Sequence, residues 1–256
     1  MQHINICGTA FSKIICGTNA FYGRSHFSSA RDVEYQTYFT DENIKRSIEC
    51  CLTWGINTVE TSANKRISSI LSSIRLEKQC SLFCIGSTRI DETSEMKSHH
   101  QKLEYLIKEQ TKICVIHSQY IDHALQIDSI PGLDRLLEKI HEAGLIAAIS
   151  THQVNIVELC ERKKYSIDTY LFPLNNIGFV YPGYSGKESV LERVNLIRNV
   201  AKPFILMKAL GAGRIPPNEG LQFVIEHSKP NDLISLGFGS ENEINETMEI
   251  YNKLPQ

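Results

Sequence analysis

The chain has 256 residues, of which 42% are hydrophobic and 22% charged, and its formal net charge at pH 7 is −2. This length is close to the ~250 residues of a single (β/α)8 barrel, and it buries a large core without disulfides. The balanced charge, without any run of like charges, argues against a nucleic-acid partner or a polybasic membrane surface. We therefore expect an ordinary globular protein.

Cysteine usage and the opening residues indicate a compartment. The start lacks a basic segment followed by a long apolar run, and no apolar stretch approaches the ~20 residues of a membrane helix. The sequence thus predicts a cytoplasmic protein without a metal site, and it leaves the oligomeric state open. The cysteines form no CxxC pair, and five lie in stretches predicted as strands, where they are expected to be small buried hydrophobes: Cys7, Cys16, Cys80, Cys84 and Cys114.

The chain opens with a predicted hairpin that leads into a first strand over residues 14–21. The next helix is expected to begin near Asp41, as its N-cap, and to stop at Gly55, because glycine is favoured just past a helix end. After it, short apolar runs rich in β-branched residues alternate with helical periodicity. These further strands are predicted at residues 56–62, 81–88, 112–118, 145–151, 167–174, 203–210 and 232–239.

One helix is predicted after each strand; the second, for example, is expected over Ser68–Lys78. Regular alternation with short connections predicts a single (β/α)8 TIM barrel domain over residues 1–256, with an N-terminal β-hairpin. An open doubly wound sheet is the competing arrangement. Two long loops, at residues 22–40 and 175–187, leave the carboxyl ends of strands, where barrel enzymes place their chemistry.

Two charged residues interrupt apolar strands near those ends, Glu60 and Lys208. Since charges are seldom buried unless paired, they are either an ion pair that closes the top of the barrel or a carboxylate and an amine tuned for acid–base chemistry. Lys208 also suits a Schiff base with a carbonyl substrate. His117 follows strand four, and is either a satisfied core histidine or a donor to a substrate carbonyl.

A glycine-rich turn follows the last strand and contains Gly237, Gly239 and Ser240. Such a turn exposes backbone N–H groups at the start of a helix, an arrangement that favours an anion. Together with the Gly-Ala-Gly segment at residues 211–213, it predicts a phosphate-bearing ligand. Simple turn geometry is the alternative interpretation.

Several motifs now support a family resemblance. The segments GTNAFYG, GINTVETS, VIHS, ILMKALGAG and ISLGFGSENEINE, in this order, resemble motifs of the aldo/keto reductases. The resemblance implies an oxidoreductase that reduces small carbonyl compounds with NADPH or NADH. It also implies cofactor contacts by Ser150, Asn175, Gly237, Gly239 and Ser240.

The catalytic set of that family reappears only in part. The resemblance places Glu60 at the position of its Asp and His117 at the position of its His. Its Tyr falls at or next to Lys65, and its Lys falls near Arg89, which keeps a positive charge but does not release its proton. We therefore select Glu60, His117, Lys208 and Arg89 as the candidate catalytic residues.

The cofactor contacts also depart from the pattern of the family. Leu171 stands where a Gln is usual, Met207 stands where an aromatic ring stacks on nicotinamide, and no Lys or Arg follows Ser240 to hold a 2′-phosphate. Three hypotheses remain. The chain is a reductase in which Tyr22, Tyr181 or Tyr184 replaces the missing proton donor, or a non-redox lyase or isomerase that uses Glu60, His117 and Lys208, or an inactive binding module.

Overall fold

The computed structural model of the chain describes residues 1–90, 96–109, 111–181 and 188–255. Two antiparallel strands come first, β1 (His3–Ile6) and β2 (Thr9–Ser12). Eight parallel strands then close into a barrel in which strands consecutive in the chain pair and the last pairs with the first. The barrel strands are β3 (Ile14–Gly17), β4 (Thr58–Ser62), β5 (Phe83–Ser87), β6 (Ile113–Ile116), β7 (Ile146–Ser150), β8 (Thr169–Pro173), β9 (Phe204–Met207) and β10 (Leu233–Gly237).

Helices connect these strands around the outside of the barrel, which confirms the predicted (β/α)8 architecture with its N-terminal hairpin. No helix in the described ranges is long and apolar enough to cross a membrane. The described helices are α1 (Ser29–Tyr38), α2 (Asp41–Thr53), α3 (Lys65–Lys78), α4 (His99–Lys108), α5 (Ser118–Ala124), α6 (Leu133–Glu142), α7 (Val154–Lys163), α8 (Val190–Asn199), α9 (Pro217–His227) and α10 (Glu241–Lys253).

Alternation along the strands separates an inner core from an outer one. On β6, Ile113 and Val115 belong to the cluster inside the barrel, while Cys114 and Ile116 belong to the cluster between strands and helices. Successive side chains of a strand point to opposite faces, so the residue after β6 with inward parity is His117. By the same rule, the last inward-facing residue of each other strand lies at the carboxyl end of the barrel.

The hairpin covers the opposite, amino end of the barrel. Ile4, Ile6 and Phe11 are buried in the inner cluster, and the ring of Phe11 meets that of Phe83 edge-on at 5.5 Å. Because β2 continues almost directly into β3, these side chains lie beneath the barrel interior. The hairpin therefore forms an apolar floor under the site.

Several elements differ between the sequence prediction and the structure. The loop at residues 22–40 contains α1, none of whose residues is buried, so it carries no apolar stripe for a sequence pattern to detect. Helix α2 is capped by Thr40 rather than Asp41, because the Thr40 hydroxyl accepts the N–H of Asn43 at 3.2 Å. Helix α5, which no periodicity indicated, follows β6 at once.

Helix α3 begins three residues earlier than predicted, at Lys65 instead of Ser68. Asn64 caps it by accepting the N–H of Ile67 at 3.2 Å, and Asn is a strong helix-starting residue. The strand placement of two cysteines was also wrong. Cys7 is exposed in the hairpin turn with φ of 48°, and Cys80 precedes β5 and is only partly buried.

Candidate active site

A cavity of about 320 Å³ opens at the carboxyl ends of the strands. All four predicted catalytic residues line it: Glu60 from β4, Arg89 after β5, His117 after β6 and Lys208 after β9. Strand parity explains the first and third of these positions. The fold thus brings together four side chains that are up to 148 residues apart in the chain; their roles stay a prediction.

Glu60 is the acidic group of the cavity. Burial raises its pKa from 4.5 to about 7, and the positive charge of Arg89 opposes that rise. Its carboxyl group is therefore protonated in a substantial fraction of molecules near neutral pH. A carboxylic acid in this state can donate a proton to a bound oxygen.

His117 is fixed in one tautomer by the start of α5. Its ring Nδ1 accepts the backbone N–H of Gln119 at 3.3 Å, and the backbone N–H of His117 donates to the hydroxyl of Thr88 at 3.0 Å. Burial, with a further contribution from Arg89, lowers the pKa of His117 to about 3, so the ring is neutral. A neutral ring with Nδ1 as acceptor carries its proton on Nε2, which makes it a hydrogen-bond donor.

Lys208 lies just past the end of β9, with φ of 64°, a left-handed conformation that is uncommon outside glycine. Its amine lies 3.0 Å from Nε2 of His152 and donates to the carbonyl of Val180. Burial and the charges of Arg89 and Arg193 lower its pKa to about 7. Lys208 and Glu60 form no ion pair, so the interpretation of these two residues as a paired closure of the barrel was wrong.

Arg89 is the fixed positive charge of the site. Its Nη1 donates to Oδ1 of Asn19 at 3.0 Å, which links the ends of β3 and β5. Its charge favours the ionised form of Glu60 and the neutral forms of His117 and Lys208. One guanidinium therefore affects the protonation of every other candidate catalytic residue.

Two of the three loop tyrosines reach the cavity. Tyr22 forms a hydrogen bond of 2.7 Å with the Thr61 hydroxyl, and burial raises its pKa to about 12. Tyr181 packs edge-on against His152 at 5.8 Å. Tyr184 lies outside the described residues. Lys65, at or next to the position of the family's Tyr, is exposed on α3 and does not line the cavity.

The predicted nicotinamide contacts fall in different surroundings. Ser150 lines the cavity, and its hydroxyl accepts the N–H of Ser118 at 2.8 Å, which leaves its own proton to donate. Asn175 is buried below a loop: its Nδ2 donates to the carbonyls of Phe179 and Lys208, and its Oδ1 accepts the N–H of Phe179. A cofactor contact by Asn175, which stays a prediction, would compete with these bonds.

A groove of about 530 Å³ adjoins the cavity and shares several lining residues with it, among them Glu60, Met207 and Lys208. Gly237 lines the groove, and Ser240 caps α10 by accepting the N–H of Glu243 at 3.2 Å. The N–H of Gly239 donates to the Glu243 carboxylate at 2.7 Å.

The second glycine-rich segment, at residues 211–213, also bonds internally. The N–H groups of Gly211 and Gly213 donate to the carbonyls of Lys208 and Leu210, both at 2.9 Å. The N–H groups of Gly211, Gly213 and Gly239 are thus already bonded within the chain, and no phosphate cradle is seen in them.

Two further histidines of the cavity were not selected as candidate site residues from the sequence. His26, from the loop before α1, and His152, two residues after β7, both line the cavity, and burial lowers the pKa of each. The parity that links His152 to Ser150 could have indicated the second; nothing in the sequence marks the first. In the described ranges, no three His, Cys, Asp or Glu side chains are grouped to hold a metal ion.

No protein-family model matches this sequence, and no curated protein matches it as a relative. Solved structures match at low identity. The holo form of an aldo-keto reductase from Bacillus halodurans shares 12% identity at a TM-score of 0.67, over 100% of this chain and 91% of that one. A glycerol dehydrogenase from Gluconobacter oxydans shares 14% at a TM-score of 0.66, over 98% and 90%.

A third match belongs to another class of enzyme. The N-acetylmannosamine-6-phosphate 2-epimerase from Clostridium perfringens shares 15% identity at a TM-score of 0.54, over 85% of this chain and 87% of that one. Its lower score sets it apart from the two oxidoreductases, which match nearly the whole chain. The chain therefore has the fold of the aldo/keto reductases.

Proposed function

We propose that the chain is an aldo/keto-reductase-like enzyme that reduces a small aldehyde or ketone with NADH or NADPH. The observation that carries the proposal is the pairing of two donors at one cavity. Both residues line it: neutral His117 carries its ring proton on Nε2, and Glu60 has a carboxyl group with a pKa of about 7. Both groups suit the activation of a carbonyl oxygen.

In this mechanism, His117 donates a hydrogen bond to the carbonyl oxygen and polarises the C=O bond. As negative charge develops on that oxygen, the protonated carboxyl of Glu60 transfers its proton and the product leaves as an alcohol. Arg89 stabilises the developing charge without exchanging a proton. When bound, the nicotinamide supplies the hydride that the carbonyl carbon receives.

The groove beside the cavity fits an elongated cofactor. It is continuous with the cavity at Glu60, Met207 and Lys208, and the side of Gly237 is open: an added Cβ would meet nothing closer than the Gly17 carbonyl at 4.0 Å. On this proposal Ser150 and Met207 would hold the nicotinamide end of the cofactor. Arg214, whose guanidinium lies 4.4 Å from the ring of Phe179, would supply positive charge for its diphosphate.

The substrate class follows from the size and lining of the cavity. A volume of about 320 Å³ is at the small end for ligand pockets, and polar side chains surround it on several sides. A short, hydroxylated carbonyl metabolite matches this space better than an extended apolar one. Compounds such as glyceraldehyde and dihydroxyacetone are suitable probes.

A lyase or isomerase is the second candidate, and Lys208 is the observation that favours it. The amine has a pKa of about 7 and lies next to His152 rather than next to a carboxylate. A neutral amine at the mouth of a barrel can remove a proton next to a carbonyl group or form a Schiff base. Such chemistry would need no nicotinamide.

The deciding experiment titrates the purified protein with NADH and NADPH, following nicotinamide fluorescence and the melting temperature. A ligand of the native state must raise the melting temperature by mass action. Micromolar binding, followed by oxidation of the nucleotide when short aldehydes are added, is the expected result. Absence of binding at millimolar nucleotide would contradict the reductase proposal, and deuterium exchange next to a carbonyl in the absence of nucleotide would favour the isomerase.

A further inference from the structure

The basic side chains of the cavity outnumber its acidic ones. They comprise one guanidinium, one amine and three imidazoles, which belong to Arg89, Lys208, His26, His117 and His152. Among the described residues that line the cavity, Glu60 provides the one carboxyl group, and burial favours its uncharged form. The lining therefore suits a negatively charged ligand better than a positively charged one.

The positive charges of the cavity act on one another. Burial lowers the pKa of Lys208 to about 7, and the charges of Arg89 and Arg193 add to that shift. Burial also lowers the pKa of His26 to about 4, with Lys208 and Arg89 as the next causes. Asp32 opposes the shift at His26 but does not line the cavity. An anion among these basic groups would offset the repulsion that disfavours their charged forms.

The order of the strands separates the basic groups into two sides. β5 and β9 lie four strands apart in the closed barrel of eight, so Arg89, which follows β5, and Lys208, which follows β9, come from opposite walls. Glu60 and His117 come from β4 and β6, the two strands that flank β5. The groups suited to activating a carbonyl oxygen thus share the side of Arg89, and the amine belongs to the other side.

The amine of Lys208 is surrounded by uncharged partners. It donates to the carbonyl of Val180, lies 3.0 Å from Nε2 of His152 and lies 5.8 Å from the centre of the Tyr181 ring. An ammonium group has three N–H donors, so two hydrogen bonds of this kind leave one donor for a ligand. A carboxylate at that donor would stabilise the charged amine, which burial disfavours.

We propose that the substrate is a short oxo acid whose carboxylate binds the amine of Lys208 while its carbonyl oxygen lies between Glu60 and His117. The inference rests on the proposed reductase function, to which it adds the charge of the substrate. A carboxylate is smaller than a phosphate, which suits a cavity of about 320 Å³. Because a buried charge is costly without its partner, removal of either the carboxylate or the amine should weaken binding.

The first test compares each of two oxo acids with its neutral methyl ester as a substrate for the oxidation of NADH or NADPH. The acids are pyruvate and succinic semialdehyde, and each pair has the same reactive carbonyl group. We expect kcat/KM to be at least about tenfold higher for the acid, a difference that one buried ion pair can supply. Lys208→Met should remove this preference, and Lys208→Arg, which keeps the charge, should retain part of it. Lys97→Met, at an exposed position, should leave the ratio unchanged.

The second test needs no nucleotide and no reactive carbonyl. Calorimetric titration with oxamate at pH 8, in two buffers of different ionisation enthalpy, measures the protons taken up on binding. Since the pKa of Lys208 is about 7, a bound carboxylate should cause uptake of up to about one proton. Neutral oxamide should cause none, and Lys208→Met should abolish the uptake. Uptake that survived in this variant would overturn the role of Lys208 and belong to another group of the site, which also contains Glu60, His26, His117, His152 and Tyr181 beside the fixed charges of Arg89 and Arg193.

The other outcomes separate the inference from the proposed function. Equal kcat/KM for acid and ester, or a preference that Lys208→Met leaves intact, would overturn the inference and leave the reductase standing. A preference for glyceraldehyde 3-phosphate over glyceraldehyde and over both oxo acids would overturn the carboxylate in favour of a phosphate. If no carbonyl compound oxidised the nucleotide, the proposed function would fail, and the binding of oxamate would still decide the charge of the ligand.

Discussion

The amine of Lys208 lies 3.0 Å from Nε2 of His152, although the two residues come from different strands of the barrel. Burial lowers the pKa of both groups, and the charge of Lys208 lowers that of His152 further. Above neutral pH the contact therefore joins an uncharged amine to an uncharged ring. The barrel therefore holds the amine of Lys208 in its uncharged form at a pH where most lysines are protonated.

This arrangement predicts a stability that depends on pH. The pKa of Lys208 falls from 10.5 to about 7 on folding, so between these values the unfolded chain binds a proton that the folded chain has lost. The free energy of unfolding must rise with pH across that window. Lys208→Met should therefore stabilise the protein more at pH 6 than at pH 10, by a difference on the order of 2–4 kcal/mol.

Urea unfolding at the two pH values measures this difference. The exposed Lys97 provides the control, because Lys97→Met changes a side chain that is solvated in both states. Equal effects of Lys208→Met at both pH values would show that the amine keeps its ordinary pKa in the folded protein.

His117 has two tasks that substitution can separate. His117→Ala removes the Nε2 donor and the cap of α5, whereas His117→Asn removes the donor and leaves a good capping residue. Both variants should lower kcat/KM for the reduction by ~10²–10⁴-fold. Only the alanine variant should also lose about 1 kcal/mol of stability. Full activity in His117→Asn would remove the ring from the mechanism.

Glu60 should control the pH profile of the reduction. Because the carboxyl must be protonated to donate, kcat/KM should fall as pH rises through about 7, the value to which burial raises the pKa of Glu60. Glu60→Gln should lower the rate at least ~10²-fold and remove this descending limb. Glu109→Gln, in an exposed position, is the matched control. A descending limb that survives Glu60→Gln belongs to another group, with Lys208 the first to test.

The raised pKa of Glu60 makes the free energy of unfolding depend on pH in the opposite direction to the lowered pKa of Lys208. The pKa rises from 4.5 to about 7, so the folded chain holds a proton that the unfolded chain has released between these values. The free energy of unfolding contributed by Glu60 falls as pH rises through this window. Relative to the wild type, Glu60→Gln should be more stable at pH 8 than at pH 4.

We expect the side chain of Asn175 to stabilise the folded protein. Its amide makes three hydrogen bonds to the backbone of Phe179 and Lys208, and Asn175→Ala would leave these buried groups unpaired. We expect a loss of about 2–4 kcal/mol in the free energy of unfolding. The exposed neighbour Asn176 serves as control, since Asn176→Ala should change stability little. An unchanged stability with weakened nucleotide binding would instead support the role that the family resemblance implies.

The barrel, and the presence of these residues around its cavity, were predictable because both depend on local patterns. Alternation of apolar residues on β6 indicates the strand and its inward face, and from them the direction of His117. The interruption of strands by Glu60 and Lys208 indicates buried charge before any coordinates are known. All three residues line the cavity, as does Arg89, which the family resemblance placed there.

The partners of these residues were not predictable, because they come from distant parts of the chain. Lys208 meets His152, 56 residues away, instead of the carboxylate of Glu60. Glu243 turns back onto Gly239, so a turn that looks open to an anion in the sequence is already filled. Helix α1 was not predicted because none of its residues is buried. Its sequence therefore lacks the apolar residues at helical spacing that indicate a helix.

The apolar floor made by the hairpin closes the amino end of the barrel. Phe11 and its neighbours block that end, so a molecule reaches Glu60 from the carboxyl ends of the strands, where the cavity opens. Incoming substrate and outgoing product must then both use the carboxyl end of the barrel.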